Sequence, residues 1–301
     1  MTKKCKNNSN NTKLDLLLVN SGKIRDIYRL NDENYLIVAS DKISAFDYVL
    51  PTLIPNKGKI LNKLSIFWFD FTKDLISNHL INGNFNTFPV NLKSYEYLKD
   101  RSMIVKKVKK INFECIVRGY LAGSGWKEYI KSQTVCGIKL IKNLKESDKL
   151  PEPIFTPSSK EENGKHDTNV TFYELANEIG TETANNLRDI SLKLYNKVNN
   201  YSISKGIILA DTKLEFGFLN DNLVLIDEAF TPDSSRFWEI SKYKHNNSQD
   251  SLDKQYVRDY LENKVKWNKI LPAPNLPKYV INETILKYIE VYEKLTGEKF
   301  K

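Results

Sequence analysis

Apolar and polar positions alternate most clearly in the last third of the chain. Residues 207–210, Ile-Ile-Leu-Ala, make a buried-strand pattern that stops at Asp211, and residues 223–226, Leu-Val-Leu-Ile, make another that stops at Asp227-Glu228. Strand side chains change face at every residue. A continuing strand therefore puts Asp211, Lys213 and Glu215 on one face and Thr212, Leu214 and Phe216 on the other. Asn220-Asp221-Asn222 between the two runs has turn chemistry, so the pattern predicts an antiparallel hairpin. Such a hairpin is either a sheet with a wet, charged outer face or the wall of a cleft. In a cleft, its carboxylates and lysine could hold Mg²⁺ against phosphates. Asp227 tilts the choice towards the cleft, because a carboxylate closing so apolar a run is an unusual surface ornament.

Further elements follow from the same reading. Residues 22–30 lead into a strand, residues 31–34 make a turn, and residues 35–39 form a second strand whose hairpin mouth carries Gly22, Lys23 and Arg25. A glycine lets backbone approach a polyphosphate and the cations offset its charge, although the same residues also suit an ordinary turn. SDKISAFD at 40–47 places Asp41, Ser44 and Asp47 around two apolar positions, and Pro51, Pro55 and Gly58 mark a loop. Leu61, Leu64, Trp68, Phe71 and Leu75 recur at helical spacing over 60–78, with their aromatic rings as core. Strands are predicted over 103–108 and 113–117. The second runs into Arg118 and Ser124 on a glycine-bearing turn before a short helix at 126–130, a combination suited to an anion. Pro151-Glu152-Pro153 and Pro157 bracket a linker, and the polar stretch 157–170 is long enough to be a functional loop. Thr171 and Glu174 match a capping box. Gly180 ends that helix, and a longer one follows from Thr181 to Gly206. Residues 251–264 suit a charged helix, 272–277 a proline-rich strap and 282–295 a final amphipathic helix.

Composition narrows the class. The chain has 301 residues, of which 41% are hydrophobic and 28% charged, and it carries a formal charge of +9. That is an ordinary balance for a globular protein with an ample core. No apolar run has the length of a membrane span, and residues 1–13 form a basic tail without the apolar core of a secretory signal. Three scattered cysteines and three scattered histidines offer neither a disulfide framework nor a metal motif by spacing. The surplus of Lys and Arg fits a phosphorylated small molecule, nucleic acid, or a coding bias with no function behind it. No nucleic-acid-binding motif accompanies it.

Seven stretches in order then carry a resemblance: GKIRDIY, SDKISAFD, ECIVRGYLAGSGWKEY, PIFTPSSKEENGKHD, ILADTKLEFGF, IDEAFTPDSSRFW and SLDKQYVRDYL. Together, from about residue 14 to the C-terminus, the chain resembles the phosphoribosylaminoimidazole-succinocarboxamide synthase (SAICAR synthetase) family, in its longer form. Two small departures stand out: Lys at 42 where Arg is expected, and Ala229-Phe230 where aliphatic pairs are usual.

The resemblance implies an α+β fold of two lobes with ATP between them. A mostly antiparallel N-terminal lobe would cover 14–112, and a larger C-terminal lobe with the metal and substrate site 113–301. It implies a cytoplasmic carbon–nitrogen ligase of purine biosynthesis that uses ATP and Mg²⁺ to join L-aspartate to carboxyaminoimidazole ribotide (CAIR) through an acyl phosphate. A carboxylate cannot accept an amine directly, because oxide is a hopeless leaving group, whereas phosphate is a good one. For the site it implies catalytic positions at Asp211, Lys213 and Arg236. ATP contacts would be Gly22, Lys23, Arg25, Glu114, Lys160, Lys213 and Glu215. Substrate contacts would be Asp41, Ser44, Asp47, Arg118, Ser124, His166, Asp167, Ser235 and Arg236, with Asp227 as the metal ligand. Partners would be small molecules rather than nucleic acid or membrane, and a monomer is expected over a dimer. A small-molecule kinase of related two-lobed architecture is the alternative; it would consume ATP without aspartate.

Overall fold

β-Branched and aromatic residues alternating with polar ones make residues 17–53 mostly strand. A computed structural model describes residues 14–160 and 168–301. In it β1 (Leu17–Ser21), β2 (Arg25–Arg29) and β3 (Asn34–Ala39) form an antiparallel meander. The ribbon β4 (Lys42–Ala45) and β5 (Tyr48–Leu53) follows, then α1 (Lys57–Phe71), β6 (Leu80–Asn82), the short α2 (Val90–Lys93) and β7 (Ser102–Lys106). The first sheet has the order β1-β2-β3-β7-β6, antiparallel throughout.

A second antiparallel sheet is built around one long strand. It opens with β8 (Lys109–Lys110) and β9 (Phe113–Tyr120), which leads into α3 (Gly123–Ser132) and the ribbon β10 (Thr134–Val135) and β11 (Ile138–Lys139). β12 (Lys149–Phe155), β13 (Ser158–Ser159) and β14 (Thr168–Asn169) lie to one side. After α4 (Phe172–Ile179) and α5 (Thr181–Ser204) comes β15 (Ile207–Leu219), then β16 (Asn222–Ile226), β17 (Ser235–Glu239), α6 (Gln255–Asp259) and α7 (Lys278–Thr296). β15 pairs with β8, β9, β16 and β17, always antiparallel. The β15–β16 turn has Asn220 at φ 49° and Asp221 at φ 60°. Two left-handed residues are the geometry that matches the twist of a hairpin. The fold is α+β with two antiparallel sheets.

One apolar core joins the sheets. It runs from Ile37, Trp68 and Val105 to Leu209, Phe216, Phe230 and Tyr288, all nearly fully buried. The backbone also crosses: His79 N–H donates to Leu225 O (3.2 Å), and Leu225 N–H donates to Ser77 O (3.0 Å). That contact fixes the end of β16, and so the start of the acidic turn at Asp227, against the first sheet.

Several expectations shift. The helix expected over 60–78 is α1, which starts earlier and stops at Phe71, where the Thr72 hydroxyl turns back to Trp68 O (2.7 Å). The stretch expected as a linker, Pro151-Glu152-Pro153, lies within β12. Its register on β9 is broken between Lys149 and Ile154, where residues without N–H are tolerated. The loop expected around Pro51 holds β5 instead, and β1 precedes the first expected strand. The short helix expected at 126–130 begins at Gly123, so Ser124 and Gly125 belong to its first turn. The charged helix expected over 251–264 is regular only over α6 and widens to a π-turn over Tyr260–Lys264. The Thr171–Glu174 capping box and the stop at Gly206 (φ 77°) are present as expected.

Candidate active site

The register of β15 arranges the first half of the site. Asp211 stands opposite Arg118 of β9 and opposite Arg236 of β17. A bulge at Ala210 brings the second pair into line, because Leu209 faces Phe237 while Asp211 faces Arg236. Cross-strand neighbours on one face lie close enough to bond. Asp211 Oδ2 accepts from Arg118 Nη1 (3.2 Å) and, in a very short contact, from Arg236 Nη1. Arg118 also donates from Nε to Thr156 Oγ1 and from Nη2 to Ser124 Oγ, both at 3.0 Å. Thus Ser124 belongs to the Arg118 cluster, as the sequence suggested. Burial lowers the Arg118 pKa, and Arg236 adds to this while Asp211 opposes it. Burial would lower Arg236 as well, but Asp211 and Asp253 outweigh it and raise its pKa.

Two glycines make the fit possible. A Cβ on Gly123, at φ 56°, would lie 2.2 Å from Arg236 Nη2, and one on Gly125 would lie 3.1 Å from Arg118 Cδ. The GSG turn is therefore a cradle for two guanidinium groups. On the other face Thr212 and Ser235 share a hydroxyl hydrogen bond of 2.8 Å. These groups line a pocket of about 160 Å³, which Lys213, Asp233, Asp253, Lys254 and Arg258 also reach.

The last four were not singled out in the sequence, although Asp253, Lys254 and Arg258 lie within SLDKQYVRDYL. Charges on a short helix look like a solvated face, and only the fold turns them inward. A second omission is Lys57, wholly buried at the start of α1. Its Nζ meets Asp233 Oδ2 at 2.8 Å, while Tyr288 OH donates to Asp233 Oδ1 at 2.6 Å. Burial pushes the Asp233 carboxyl up, but Lys57 and Lys254 outweigh it and hold the group well below the usual range. Lys57 and Tyr288 thereby anchor the loop that carries Ser234, Ser235 and Arg236.

The second half of the site is a set of ion pairs. Lys213 Nζ donates to Glu114 Oε1 (2.7 Å). Lys160 pairs closely with Glu215 and lies 3.7 Å from Glu114, and Lys110 reaches Glu215 Oε2 at 2.6 Å. Burial alone would raise Glu215; Lys160 and Lys110 reverse this and hold it down to about 2. Burial likewise lowers Lys213 in isolation, and Glu114 reverses it.

Arg25 reaches across from the first sheet to Asp227 Oδ2 (2.6 Å) and Glu228 Oε2 (2.8 Å). Asp227 sits at φ 64°, off the end of β16. Burial raises its pKa; Arg25 works against this, and Glu215 and Glu228 add to it.

Other expected residues lie apart from the pocket lining. Asp41 accepts from Arg101 (3.1 and 3.2 Å) and from Gly58 N–H (2.9 Å), so it ties β3 and α1 together. Ser44 is buried in the β4–β5 ribbon. Lys23 and Asp47 form an exposed ion pair of 2.5 Å, and Gly22 N–H closes the β1–β2 turn onto Arg25 O (2.7 Å). His166 and Asp167 lie outside the described residues, as do residues 1–13 and the rest of 161–167.

The residues near Asp227 suit a divalent cation of the hard, oxygen-seeking kind. The donors there are the carboxylates of Asp227 and Glu228, and burial is the largest cause of the raised Asp227 group. No group of three or more metal-binding side chains converges among the described residues. The buried Arg25 Nε, which has no hydrogen-bond partner among the described residues, suits a phosphate oxygen.

Comparison with known proteins is consistent along the chain. The SAICAR synthetase family model matches residues 18–274. A phosphoribosylaminoimidazole-succinocarboxamide synthase of Thermodesulfovibrio yellowstonii is 54% identical over 93% of this chain and 95% of its own length. One from Desulfosudis oleivorans is 52% identical over 94% and 96%. Among solved structures, the SAICAR-synthase of Saccharomyces cerevisiae complexed with SAICAR superposes with a TM-score of 0.88, at 44% identity, over 97% of this chain and 99% of that one. A SAICAR synthetase in complex with ADP superposes at 0.68, with 26% identity over 94% and 99%. These matches support the ligase and not the small-molecule kinase. The chain belongs to the SAICAR synthetase family, the ligases of purine biosynthesis.

Proposed function

We propose that the protein joins L-aspartate to the carboxylate of CAIR at the expense of ATP, with release of ADP and phosphate. The observation that carries this reading is the Arg118–Asp211–Arg236 ladder beside a second, lysine- and carboxylate-lined end of the same strand. Two anionic ligands must meet in such a reaction, and β15 runs between a place for each. Arg118, Ser124, Ser235 and Arg236 are the hands for the ribotide, with Asp211 holding the two arginines in register. Arg25, Lys160, Lys213 and Glu215 serve the nucleotide, Glu114 orients Lys213, and Gly22 and Lys23 cover its phosphates. Asp41 and Ser44 serve the fold, and Asp47 serves through Lys23.

Mg²⁺, held by Asp227, would neutralise charge on the phosphates during transfer. The side chains supply orientation and cationic surroundings at a site that must shed water, since water would hydrolyse an acyl phosphate. No side-chain nucleophile is needed. Burial also pushes the Cys115 thiol well above its usual value, which leaves it protonated. ATP would bind between the two sheets, with the lobes divided close to residue 112. The protein would act as a cytoplasmic monomer. No helix among the described residues is long and apolar enough to cross a membrane.

The test is ADP release with ATP, Mg²⁺, CAIR and aspartate, each omitted in turn. Release that needs all four is expected; release indifferent to aspartate overturns the reading.

A further inference from the structure

Lys254, just ahead of α6, stands out among the cations of the pocket. Arg118 and Arg236 are tied to Asp211 and Lys213 to Glu114, Arg258 donates to Gln255 Oε1 (3.4 Å), and behind the lining Lys57 is tied to Asp233. The Lys254 ammonium lines the same pocket, yet makes no hydrogen bond or ion pair among the described residues. The charged groups around it are mixed. Asp233, from the loop after β16, favours its protonation, while Arg258 on α6, Lys213 on β15 and Lys57 on α1 oppose it. Asp253 and Arg236 complete the wall. Burial is the largest influence, and with those cations it pushes Lys254 down to about 8.

An amino acid arrives as an ammonium ion, which has no lone pair with which to attack. Of the carboxylates that line the pocket, Asp211 and Asp233 are committed to cations and Asp253 accepts from the Ser251 hydroxyl and the Gln255 N–H, which leaves Lys254 as the basic group with no partner among the described residues. We propose that Lys254 is the general base that frees the attacking amine of the amino-acid substrate. The proposal rests on the ligase reading above, in which that substrate is aspartate.

The neutral Nζ takes one proton from the ammonium. The freed lone pair forms the C–N bond to the acyl carbon, and the C–O bond to phosphate breaks with its electron pair. The second proton of the new amide nitrogen leaves with the departing phosphate. A lysine of lowered pKa suits such a transfer near neutral pH.

Lys254→Arg and Lys254→Met test this, because Arg keeps the charge but cannot act as a base. Both should lower kcat/KM for aspartate by about 10²- to 10³-fold. Hydroxylamine, uncharged at neutral pH, should restore ADP release to both variants, to within about threefold of the unmodified enzyme under the same conditions. The unmodified enzyme's kcat/KM for aspartate should rise with pH through about 8, a limb that Lys254→Arg lacks. Retention of aspartate-dependent activity by Lys254→Arg within about threefold overturns the proposal, because charge alone then suffices. Failure of hydroxylamine to rescue also overturns it, by placing Lys254 ahead of the amine step. ADP release by the unmodified enzyme that ignores aspartate overturns the ligase reading itself, and the proposal with it.

Discussion

Asp211 and Asp227 belong to the same hairpin but are held by different means. Asp211 is fixed within one sheet: strand register sets Arg118 and Arg236 on either side of it. Asp227 is fixed between sheets, by an arginine from β2 and a backbone contact from 77–79 to Leu225. The first arrangement sets two guanidinium groups against one carboxylate and so keeps a net positive charge. The second holds a carboxyl whose pKa burial raises against the opposing pull of Arg25. The comparison separates a pair of arginines set by strand register from a pair of carboxylates set by the packing of one sheet on the other.

The sharpest test of that difference is Asp227→Asn. A carboxyl with a raised folded pKa stabilises the fold below its unfolded pKa and loses that contribution as pH rises through the folded value. At neutral pH its charge therefore gives no net support, and the neutral Asn should fold with a Tm within about 2 °C of the unmodified protein. Activity should nevertheless drop about 10³-fold, because charge on the transferring phosphoryl group goes uncompensated. A large fall in Tm with activity kept would show Asp227 to be an ordinary structural ion pair.

Gly123→Ala probes the arginine pair. Its Cβ would collide with Arg236 at 2.2 Å, from a backbone at φ 56°. We expect kcat/KM for CAIR to fall about 10- to 10²-fold, since small misplacements of positioning groups are costly. Stability should fall by about 1 kcal/mol in urea titrations, and KM for ATP should stay within about twofold. A larger change in KM for ATP than for CAIR would show that the two ends do not act separately.

Glu215→Gln reads the charge balance of the nucleotide end as stability. Glu215 is held down from 4.5 to about 2. Its stabilisation is therefore complete above about 4.5 and is lost as pH falls through 2. Replacement should cost about 3 kcal/mol near neutral pH. The gap from the unmodified protein should narrow as urea titrations are repeated at lower pH. A gap that is constant with pH would mean that Glu215 stabilises by packing rather than charge.

The strength of this contrast explains what the sequence could reveal. Periodicity placed β15, β16 and the shared face of Asp211, Lys213 and Glu215, because those depend on neighbours along the chain. The capping box and glycine stops were equally local. Lys57, Asp233, Lys254 and Arg258 were not legible, since their meaning comes from α1, α6 and α7 folding around β17. Pro151 and Pro153 misled for the opposite reason. Locally they break structure, but they fall where the register of β12 on β9 is broken, so the missing N–H groups cost little. The seven-motif resemblance reached further than periodicity because it carries long-range order that no local pattern contains. Even so, it attached Asp41 to ligand, where the structure ties it to Arg101 and the start of α1.

The mildest test lies at the rim. Lys23 and Asp47 are 49% and 38% exposed and 2.5 Å apart. An exposed pair of this kind is worth less than about 0.5 kcal/mol, so Lys23→Ala should leave urea stability almost unchanged. If Lys23 covers phosphates, KM for ATP should rise severalfold, and the effect should shrink as salt is added and the Debye length shortens. A salt-independent loss would mean that Lys23 is drawn into a dry site when ATP binds. The ion pairs that join the two sheets would then extend from Asp227 through Arg25 to the β1–β2 turn, apart from the strands that flank Asp211.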